Sequence, residues 1–598
     1  MKFTILRLAR VLIAACVLLA LTSYFVDVRA VVPQEFAWLA KIQLVGAITG
    51  RGLFIALALI LATLLFGRVY CSVVCPLGIL QDLFAWIAGK SRNLVAPKPK
   101  AVAKKNADAP KVKPKKKPFA WKNYSYGKNH KKTRLVFFIY AVVAGFVGLF
   151  YFGLVEPYGI FGRIAVNVFK PLNVMVNNGL FSYFSKSSSE SLKYVFYYVD
   201  LRPESQAALV VGLASFIILA IVAGGWGRLY CNTICPVGSF LGFLSKYSLL
   251  RTKIDASKCV SCGLCEKRCK SSCIDAKNKT VDNSRCVVCF DCFGACRKDA
   301  LSFGLPSGKK PAPITLAENE GAQNSASQSV ALDPETLREK ERVQREIQSF
   351  DRGKRQFIAL SALAATAFVA KNAFGKLDAQ ESDANSAEAV PGSDASEPVE
   401  EKPADYGQKP YKQQYTIMPP GAPNKGHYMH HCVGCHLCVA KCPSRVLKPG
   451  GFENGLLGFM QPRLDFAHGF CNFDCTICSE VCPANAILPI TMEQKHVTQM
   501  GQVVFIKENC IVYALDEHCG ACSEHCPTQA VHMVPYGDKG LTIPETNVDL
   551  CVGCGGCEYI CPARPFRAIY IEGKPVQTEA TPPPKEEVEE VEDVGFGF

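Results

Sequence analysis

The chain has 598 residues, of which 49% are hydrophobic and 20% charged, and thirty are cysteine. Single hydrophobic cores stop growing near ~250–300 residues, so this length calls for several domains. The net charge of +15 sits in one place: residues 90–134 hold sixteen Lys/Arg against one acid, Asp108, and the remainder balances at 51 against 51, which excludes a generally basic nucleic-acid-binding protein.

In chain order, apolar runs cover 11–25, 52–66, 135–154 and 207–224. A spanning helix needs ~20 apolar residues, so four membrane helices are predicted within residues 1–250. The first run follows Lys2, Arg7 and Arg10 and reads as an anchor. A cleaved signal peptide is its rival, as is a lipoprotein box at Ile13-Ala14-Ala15-Cys16, with five residues between Arg10 and Cys16. Loop charge places the N-terminus and the basic 90–134 loop in the cytoplasm and 155–206 outside. Within this part Gly67-Arg68-Val69-Tyr70-Cys71-Ser72-Val73-Val74-Cys75-Pro76-Leu77-Gly78 returns 160 residues later as Gly227-Arg228-Leu229-Tyr230-Cys231-Asn232-Thr233-Ile234-Cys235-Pro236-Val237-Gly238. It is a parallel repeat, each copy closing a two-helix unit on the cytoplasmic side.

Residues 251–305 form a first cysteine-dense domain and 306–351 a polar linker. An Ala-rich apolar run at 352–375 opens with Arg352-Gly353-Lys354-Arg355 and is predicted as a fifth helix. An acidic linker, 376–420, leads to a second cysteine-rich domain at 421–575, and 576–598 is a Pro/Glu tail predicted to be disordered. The predicted fold class is an α-helical membrane bundle, four helices plus the fifth anchor, with two α+β ferredoxin-like iron–sulfur domains.

Six quartets account for twenty-four cysteines. Cys259, Cys262, Cys265, Cys269 and Cys286, Cys289, Cys292, Cys296 have the spacing CxxCxxCxxxC, which holds [4Fe–4S] clusters with the fourth thiolate crossed between motifs. One cluster is then expected on Cys259, Cys262, Cys265 and Cys296, the other on Cys286, Cys289, Cys292 and Cys269, with Cys273 a spare that could replace Cys269. Lys270 and Arg297 stand where such motifs carry Pro. The distal quartets are Cys432, Cys435, Cys438, Cys442; Cys471, Cys475, Cys478, Cys482; Cys510, Cys519, Cys522, Cys526; and Cys551, Cys554, Cys557, Cys561, each followed by Pro. Structural zinc favours paired CxxC knuckles, not a CxxC extended to a third and fourth cysteine. Cys432-Val433-Gly434-Cys435-His436 also matches the c-type haem motif CxxCH, but the same cysteines complete the cluster motif. His427, His430 and His431 lie beside it, as surface residues or as groups tuning that cluster. Cys71, Cys75, Cys231 and Cys235 could hold a metal or small cluster, form a dithiol switch, or be reduced structural thiols.

The repeated GRxYCxxxCPxG, the helices and the following two-cluster module resemble the NapH-type membrane quinol dehydrogenase. Residues 352–572, including the Cys510-x8-Cys519 gap, resemble its periplasmic four-cluster partner of the MauM/NapG type, so the chain looks like a fusion of the two. The resemblance implies six [4Fe–4S] clusters and electrons drawn from menaquinol or ubiquinol in the membrane quinone pool. It implies delivery to a periplasmic reductase, nitrate reductase in the type case, or to a c-type cytochrome. As in related four-cluster proteins, it implies crossed ligation of outer and inner motifs: Cys432, Cys435, Cys438 with Cys561; Cys551, Cys554, Cys557 with Cys442; Cys471, Cys475, Cys478 with Cys526; Cys510, Cys519, Cys522 with Cys482. Lys354-Arg355-Gln356-Phe357-Ile358 is similar to a twin-arginine signal, which would export the distal domain folded across the inner membrane. Candidate quinol residues at the outer edge are Trp38, Lys41, Gln43, Glu156 and Arg163, each equally an interfacial anchor. With the repeat thiols expected at the inner boundary, ~30 Å of hydrocarbon separates the two sets of clusters without a visible bridge. The contrasting function is a redox-sensing or metal-handling assembly factor, which has little need of four outer clusters.

Overall fold

A computed structural model describes residues 2–27, 31–49, 52–95, 124–127, 130–147, 149–185, 197–201, 205–305, 408–453, 455 and 458–582. The chain divides into two units, Met1–Ser307 with Pro403–Phe598, and Gly308–Lys402. The second unit lies outside the described residues, and with it the polar linker, the twin-arginine-like segment and most of the acidic linker.

Helix α1 (Lys2–Val26) is an apolar run without Gly or Pro, so nothing interrupts its hydrogen-bond ladder. Near its start Arg7 Nε meets Asp291 Oδ1 at 2.8 Å, in the first cysteine-rich domain. Just past its end Asp27 Oδ2 takes Lys441 Nζ at 2.9 Å, in the second. At 1.5 Å per residue, these contacts lie ~30 Å apart along the helix. The two cysteine-rich domains therefore touch opposite ends of α1.

Two helices, Ile5–Val26 and Gln206–Trp226, are long and apolar enough to cross a membrane among the described residues. The expected bundle of four such helices is thus not what folds. The second predicted span is α2 (Leu53–Phe66), 14 residues set between Gly52 and Gly67. Gly67 takes φ +80, where a side chain would be strained, and its N–H returns to Thr63 O at 2.9 Å. The third run is shared between α4 (Lys131–Val147) and a helix at Leu149–Val155. Between α2 and α4 lies α3 (Pro76–Val95). Residues 157–184, expected as part of an outer loop, are helical: α5 (Pro157–Ile164), a π-turn at Ala165–Phe169, then Lys170–Phe184. Glu156 caps α5, its Oε2 accepting from Gly159 N at 2.5 Å, with Pro157 at the first helical position. After α6 (Gln206–Trp226), the second repeat copy forms a turn at Leu229–Thr233 and α7 (Pro236–Ser245).

The first cysteine-rich domain pairs β1 (Arg251–Ile254) antiparallel with β4 (Leu301–Gly304), with the hairpin β2 (Ile274–Asp275) and β3 (Thr280–Val281) between them in sequence. In the distal domain, β5 (Leu447–Pro449) pairs with β6 (Pro462–Leu464), β7 (Thr498–Phe505) with β10 (Ile569–Glu579), and β8 (Val531–Tyr536) with β9 (Leu541–Thr546). The domain is wider than 421–575. Residues 408–417, expected as linker, strap it: Tyr415 N and Gln414 N donate to Glu572 Oε1 at 2.6 and 3.0 Å, and Ile417 O accepts from Leu464 N. At the other end, β10 runs past residue 575 to Glu579. One apolar core extends from Leu21, Tyr24 and Phe25 of α1 through Tyr158 and Phe161 into Val433, Leu437 and Val439 of the distal domain.

Candidate metal centres

In the first domain Cys265 lies within electrostatic reach of Cys259, Cys262 and Cys296. Cys286, Cys289 and Cys292 gather around Cys269. Cys273 Sγ is 3.5 Å from Cys269 Sγ and also borders Cys286, while Cys269 reaches all three loop cysteines. Lys270, where Pro was expected, is a docking residue. Its carbonyl accepts from Arg228 N at 2.9 Å, and its ammonium meets Asp291 at 2.9 Å and Asp82 at 3.6 Å.

In the distal domain the loop triads stay together, but every fourth cysteine differs from the expected crossing. Cys432, Cys435 and Cys438 close with Cys482 around one cavity, not with Cys561. Cys510, Cys519 and Cys522 close with Cys561 around another, not with Cys482. Cys471, Cys475 and Cys478 approach Cys442 instead of Cys526. Cys551, Cys554 and Cys557 approach Cys526 instead of Cys442. Motifs adjacent in the chain therefore form each ferredoxin-like half. The four sites also follow one another in space. Cys438 neighbours Cys478, Cys471 neighbours Cys554, and Cys557 neighbours Cys522. The order is the Cys432 site, the Cys471 site, the Cys551 site and the Cys510 site.

These foursomes suit clusters better than single ions. Structural zinc favours paired CxxC knuckles, whereas each foursome draws three thiols from one short loop and the fourth from a partner motif, the arrangement that holds a [4Fe–4S] cluster. Burial pushes the Cys432, Cys471 and Cys522 thiols up to about 12, and those of Cys265, Cys551 and Cys554 up to about 11. Metal loading at such sites must release protons.

The Cys432–Cys438 loop is the part of the distal domain seated on the helices. A Cβ on Gly162 would lie 2.2 Å from Cys435 O, and one on Gly153 2.3 Å from Val433 O. Arg163 donates to Gly434 O at 3.2 Å and to Gly153 O at 3.0 Å. His436, the histidine of the CxxCH match, is buried with both ring nitrogens engaged. Its Nε2 lies 2.9 Å from Met460 O, which can only accept, so Nδ1 is left to accept from Asn167 Nδ2 at 3.3 Å. Neither nitrogen is free to ligate haem iron. Burial presses this imidazole down to about 3, so it is neutral near pH 7. His427 and His431 stack on one another with centroids 4.1 Å apart. His427 Nε2 contacts Asn485 O at 2.8 Å.

Of the outer-edge candidates, Trp38 and Lys41 are exposed, whereas Gln43, Glu156 and Arg163 are buried. Gln43 Oε1 accepts from the Tyr70 hydroxyl at 2.9 Å. Glu156 and Arg163 are interior groups beneath the seated loop, not interfacial anchors.

The repeat brings Cys71, Cys75, Cys231 and Cys235 into one buried group, each 3% exposed and near enough to the others for their charges to interact. The two copies cross. Arg68 Nη2 donates to Cys231 O at 3.0 Å, and Arg228 Nη1 donates to Cys71 O. Gln81, from the first copy's helix, places Nε2 3.3 Å from Cys231 Sγ. Cys75 lies within electrostatic reach of Glu156, which also acts on Cys435. The chain turns at Gly67 and Gly227, both at positive φ. Sequence reasoning missed Asp82, Gln81 and Lys270; the absence of Pro at 270 was the available signal for the last.

A family model described as a 4Fe-4S binding domain matches residues 48–94 and 208–257, the two repeat copies, and a 4Fe-4S dicluster domain matches 517–564. The chain is similar to the ferredoxin-type protein NapF of Escherichia coli K12, 28% identical over 160 residues, 27% of this chain and 88% of that protein. It is similar to the ferredoxin-type protein NapG of the same organism, 30% identical over 24% of this chain and 65% of NapG. The methylamine utilization ferredoxin-type protein MauM of Methylorubrum extorquens is 32% identical over 154 residues, 24% of this chain and 68% of MauM. No solved structure matches the chain.

Proposed function

We propose that this chain, a member of the MauM family of ferredoxin-type iron–sulfur proteins, is a membrane-bound electron conduit that oxidises a quinol and passes the electrons to an acceptor on the far side. The observation that supports this reading is the pair of contacts at the two ends of α1, Arg7 with Asp291 and Asp27 with Lys441, each to a different cysteine-rich domain and ~30 Å apart along the helix. Sidedness follows from charge. Residues at the end of the basic loop lie along the first domain, with Tyr126 N donating to Glu266 Oε1 at 2.9 Å and Gly127 O accepting from Arg285 at 3.0 Å. A basic loop belongs inside, so the first domain is cytoplasmic and the distal domain periplasmic.

Six [4Fe–4S] clusters are assigned to the six foursomes described above: two inside, on the Cys259 group and the Cys286 group, and four outside. When bound, each supplies a one-electron step without bond chemistry of its own. The protein's contribution is to hold the thiolates, exclude water and set the order of the sites. The seated Cys432 loop puts one end of the outer series against the helices, and the Cys510 site, at the other end, faces the acceptor, a periplasmic reductase or c-type cytochrome.

The quinol site assigned by this reading is a groove of about 570 Å³ between α1, α3 and the first domain. Val11, Ala14, Leu18, Leu83 and Trp86 form apolar walls for a ring, while Arg10, Lys270 and Asp82 close the polar end. Lys270 follows Cys269 and Asp291 precedes Cys292, so the groove adjoins the Cys286 site. Quinol there gives up two electrons, one at a time, and two protons, leaving quinone.

The test is anaerobic EPR of the purified full-length chain with added menaquinol or ubiquinol, together with protease accessibility at residues 376–405 in intact cells and spheroplasts. Quinol-dependent cluster reduction and cleavage from outside are expected. Clusters that stay oxidised under quinol, or a linker cut only after lysis, would overturn the reading and favour an assembly or sensing role.

A further inference from the structure

A second groove, of about 480 Å³, lies at the opposite end of α1 from the groove described above. Tyr24 of the last turn of α1 and Lys170, which opens the helix Lys170–Phe184, line it together with the strap Val32–Glu35. The distal domain closes it with Lys441, Cys442, Pro443, Arg445 and Ile477. Its walls are fixed independently of any occupant. Asp27 accepts from Val31 N and Val32 N, each at 3.1 Å, which sets the strap, and it also takes Lys441 Nζ at 2.9 Å. The same ammonium lies 4.1 Å from the centre of the Tyr24 ring, and Arg445 Nη1 donates to Asp200 O at 2.7 Å.

Two observations point to what the groove takes. Tyr24 is fully buried, and among the described residues its hydroxyl has no hydrogen-bond partner. A buried hydroxyl left unpaired is unfavourable, and an oxygen on a ligand would answer it. Lys170, 6% exposed, adds an ammonium as a second donor. Position is the second observation. Cys442 lines the groove and is the fourth cysteine of the Cys471 site, while Ile477 stands between Cys475 and Cys478 of that same site. A molecule seated here therefore borders a redox centre from two sides. Val32, Pro33, Pro443 and Ile477 offer apolar walls to a ring, and the polar donors are few, as in sites for small ring ligands.

We infer that this groove is a second quinol site, which feeds the Cys471 site directly from the membrane at the outer end of α1. The inference rests on the conduit reading above, and it spares these electrons the ~30 Å passage from the inner domain. The ring oxygens face the Tyr24 hydroxyl and the Lys170 ammonium. Both quinol O–H bonds break. Two electrons leave one at a time and reduce the Cys471 site in turn, two protons pass to the outer water at the exposed Glu35, and quinone remains. From the Cys471 site the electrons follow the series through the Cys551 site to the Cys510 site and the acceptor there.

The experiment photolabels the full-length chain, purified anaerobically in detergent, with an azido-ubiquinone and maps the labelled peptides by mass spectrometry, a readout that needs no turnover. Label is expected in the peptides carrying residues 24–35 and 440–445, beside label in the α1 and α3 peptides of the inner groove. Unlabelled ubiquinol should displace the outer label, and phosphatidylglycerol should not. Tyr24→Phe removes only a hydroxyl without a partner in the chain, so it should lower the outer label about tenfold, the loss of one hydrogen bond to a ligand, and leave the inner label unchanged. A merely structural Tyr24 would give equal outer label in variant and wild type. That result, absence of outer label, or displacement by phosphatidylglycerol in place of ubiquinol overturns the inference. Should Tyr24→Phe misfold, the wild-type map and its competition still decide. Inner label without outer label refutes the second site and leaves the conduit reading standing; outer label without inner label refutes the inner groove alone; no label in either refutes quinol as the donor.

Discussion

Gly162→Ala should loosen the distal domain from the helices, and the size of the effect follows from one approach. The added Cβ would sit 2.2 Å from Cys435 O, whereas ordinary contact begins at 3.4 Å. The carbonyl cannot swing away cheaply, because it belongs to a loop whose ends are fixed by Cys432 and Cys438 in one site. Overpacking of this kind costs about 1–3 kcal/mol, and the better helix propensity of Ala returns about 1 kcal/mol. A net loss of up to about 2 kcal/mol raises the open population by up to about 30-fold. Hydrogen exchange of the 432–438 amides in the detergent-purified chain reads this directly. Gly179→Ala is the control: it lies in the following helix with nothing within 4 Å of its Cβ position, so it should leave those amides unchanged. Unaltered exchange in Gly162→Ala would mean that the loop is not seated there and that the apolar core is not continuous across the junction.

Cys482→Ser combined with Cys432→Ser should lose no more iron than either alone, since both serve one site, while Cys561→Ser adds a second site's loss; additive loss for the first pair would restore the outer-to-inner crossing. Lys270→Ala leaves Asp82 and Asp291 without a shared cation, and breaking such buried pairing costs about 3–5 kcal/mol, so limited proteolysis should cut residues 251–305 sooner than in wild type. His436→Gln tests burial of a neutral imidazole. The folded group titrates near 3 and the unfolded one near 6.5, so the unfolded state binds more protons between these values and stability falls as pH drops through that window. The wild type's melting temperature should therefore decline more steeply from pH 6.5 to 4 than the variant's, and parallel profiles would refute it.

What the sequence made legible was local. The cysteine triads are read from spacing because each lies in one short loop, and the paired GRxYCxxxCPxG is read from its own recurrence. The fourth cysteine of each distal site was not legible, because Cys482 and Cys561 have the same spacing and the same following Pro. Only the packing of β5–β6 and β7–β10 decides which reaches which triad. Hydropathy likewise found the apolar run at 52–66 but not its meaning, since the helix it forms has 14 residues and ends at Gly67, after which the chain turns and buries its cysteines. Glu156 and Arg163 looked like edge residues because charge in a sequence signals surface. Burial under the Cys432–Cys438 loop is a tertiary fact with no one-dimensional trace.

The crossed arginines also bear on how the chain is made. Arg68 finds its partners Cys231 and Asn232 only after 163 and 164 further residues have been synthesised, about 8–33 s at 5–20 residues per second. For that interval the first copy is an apolar hairpin with an unanswered charge, and it cannot settle alone. Neither copy is a folding unit. The two copies form an obligatory pair, and a chain truncated between residues 95 and 205 should leave Arg68 without Asn232 and Cys231.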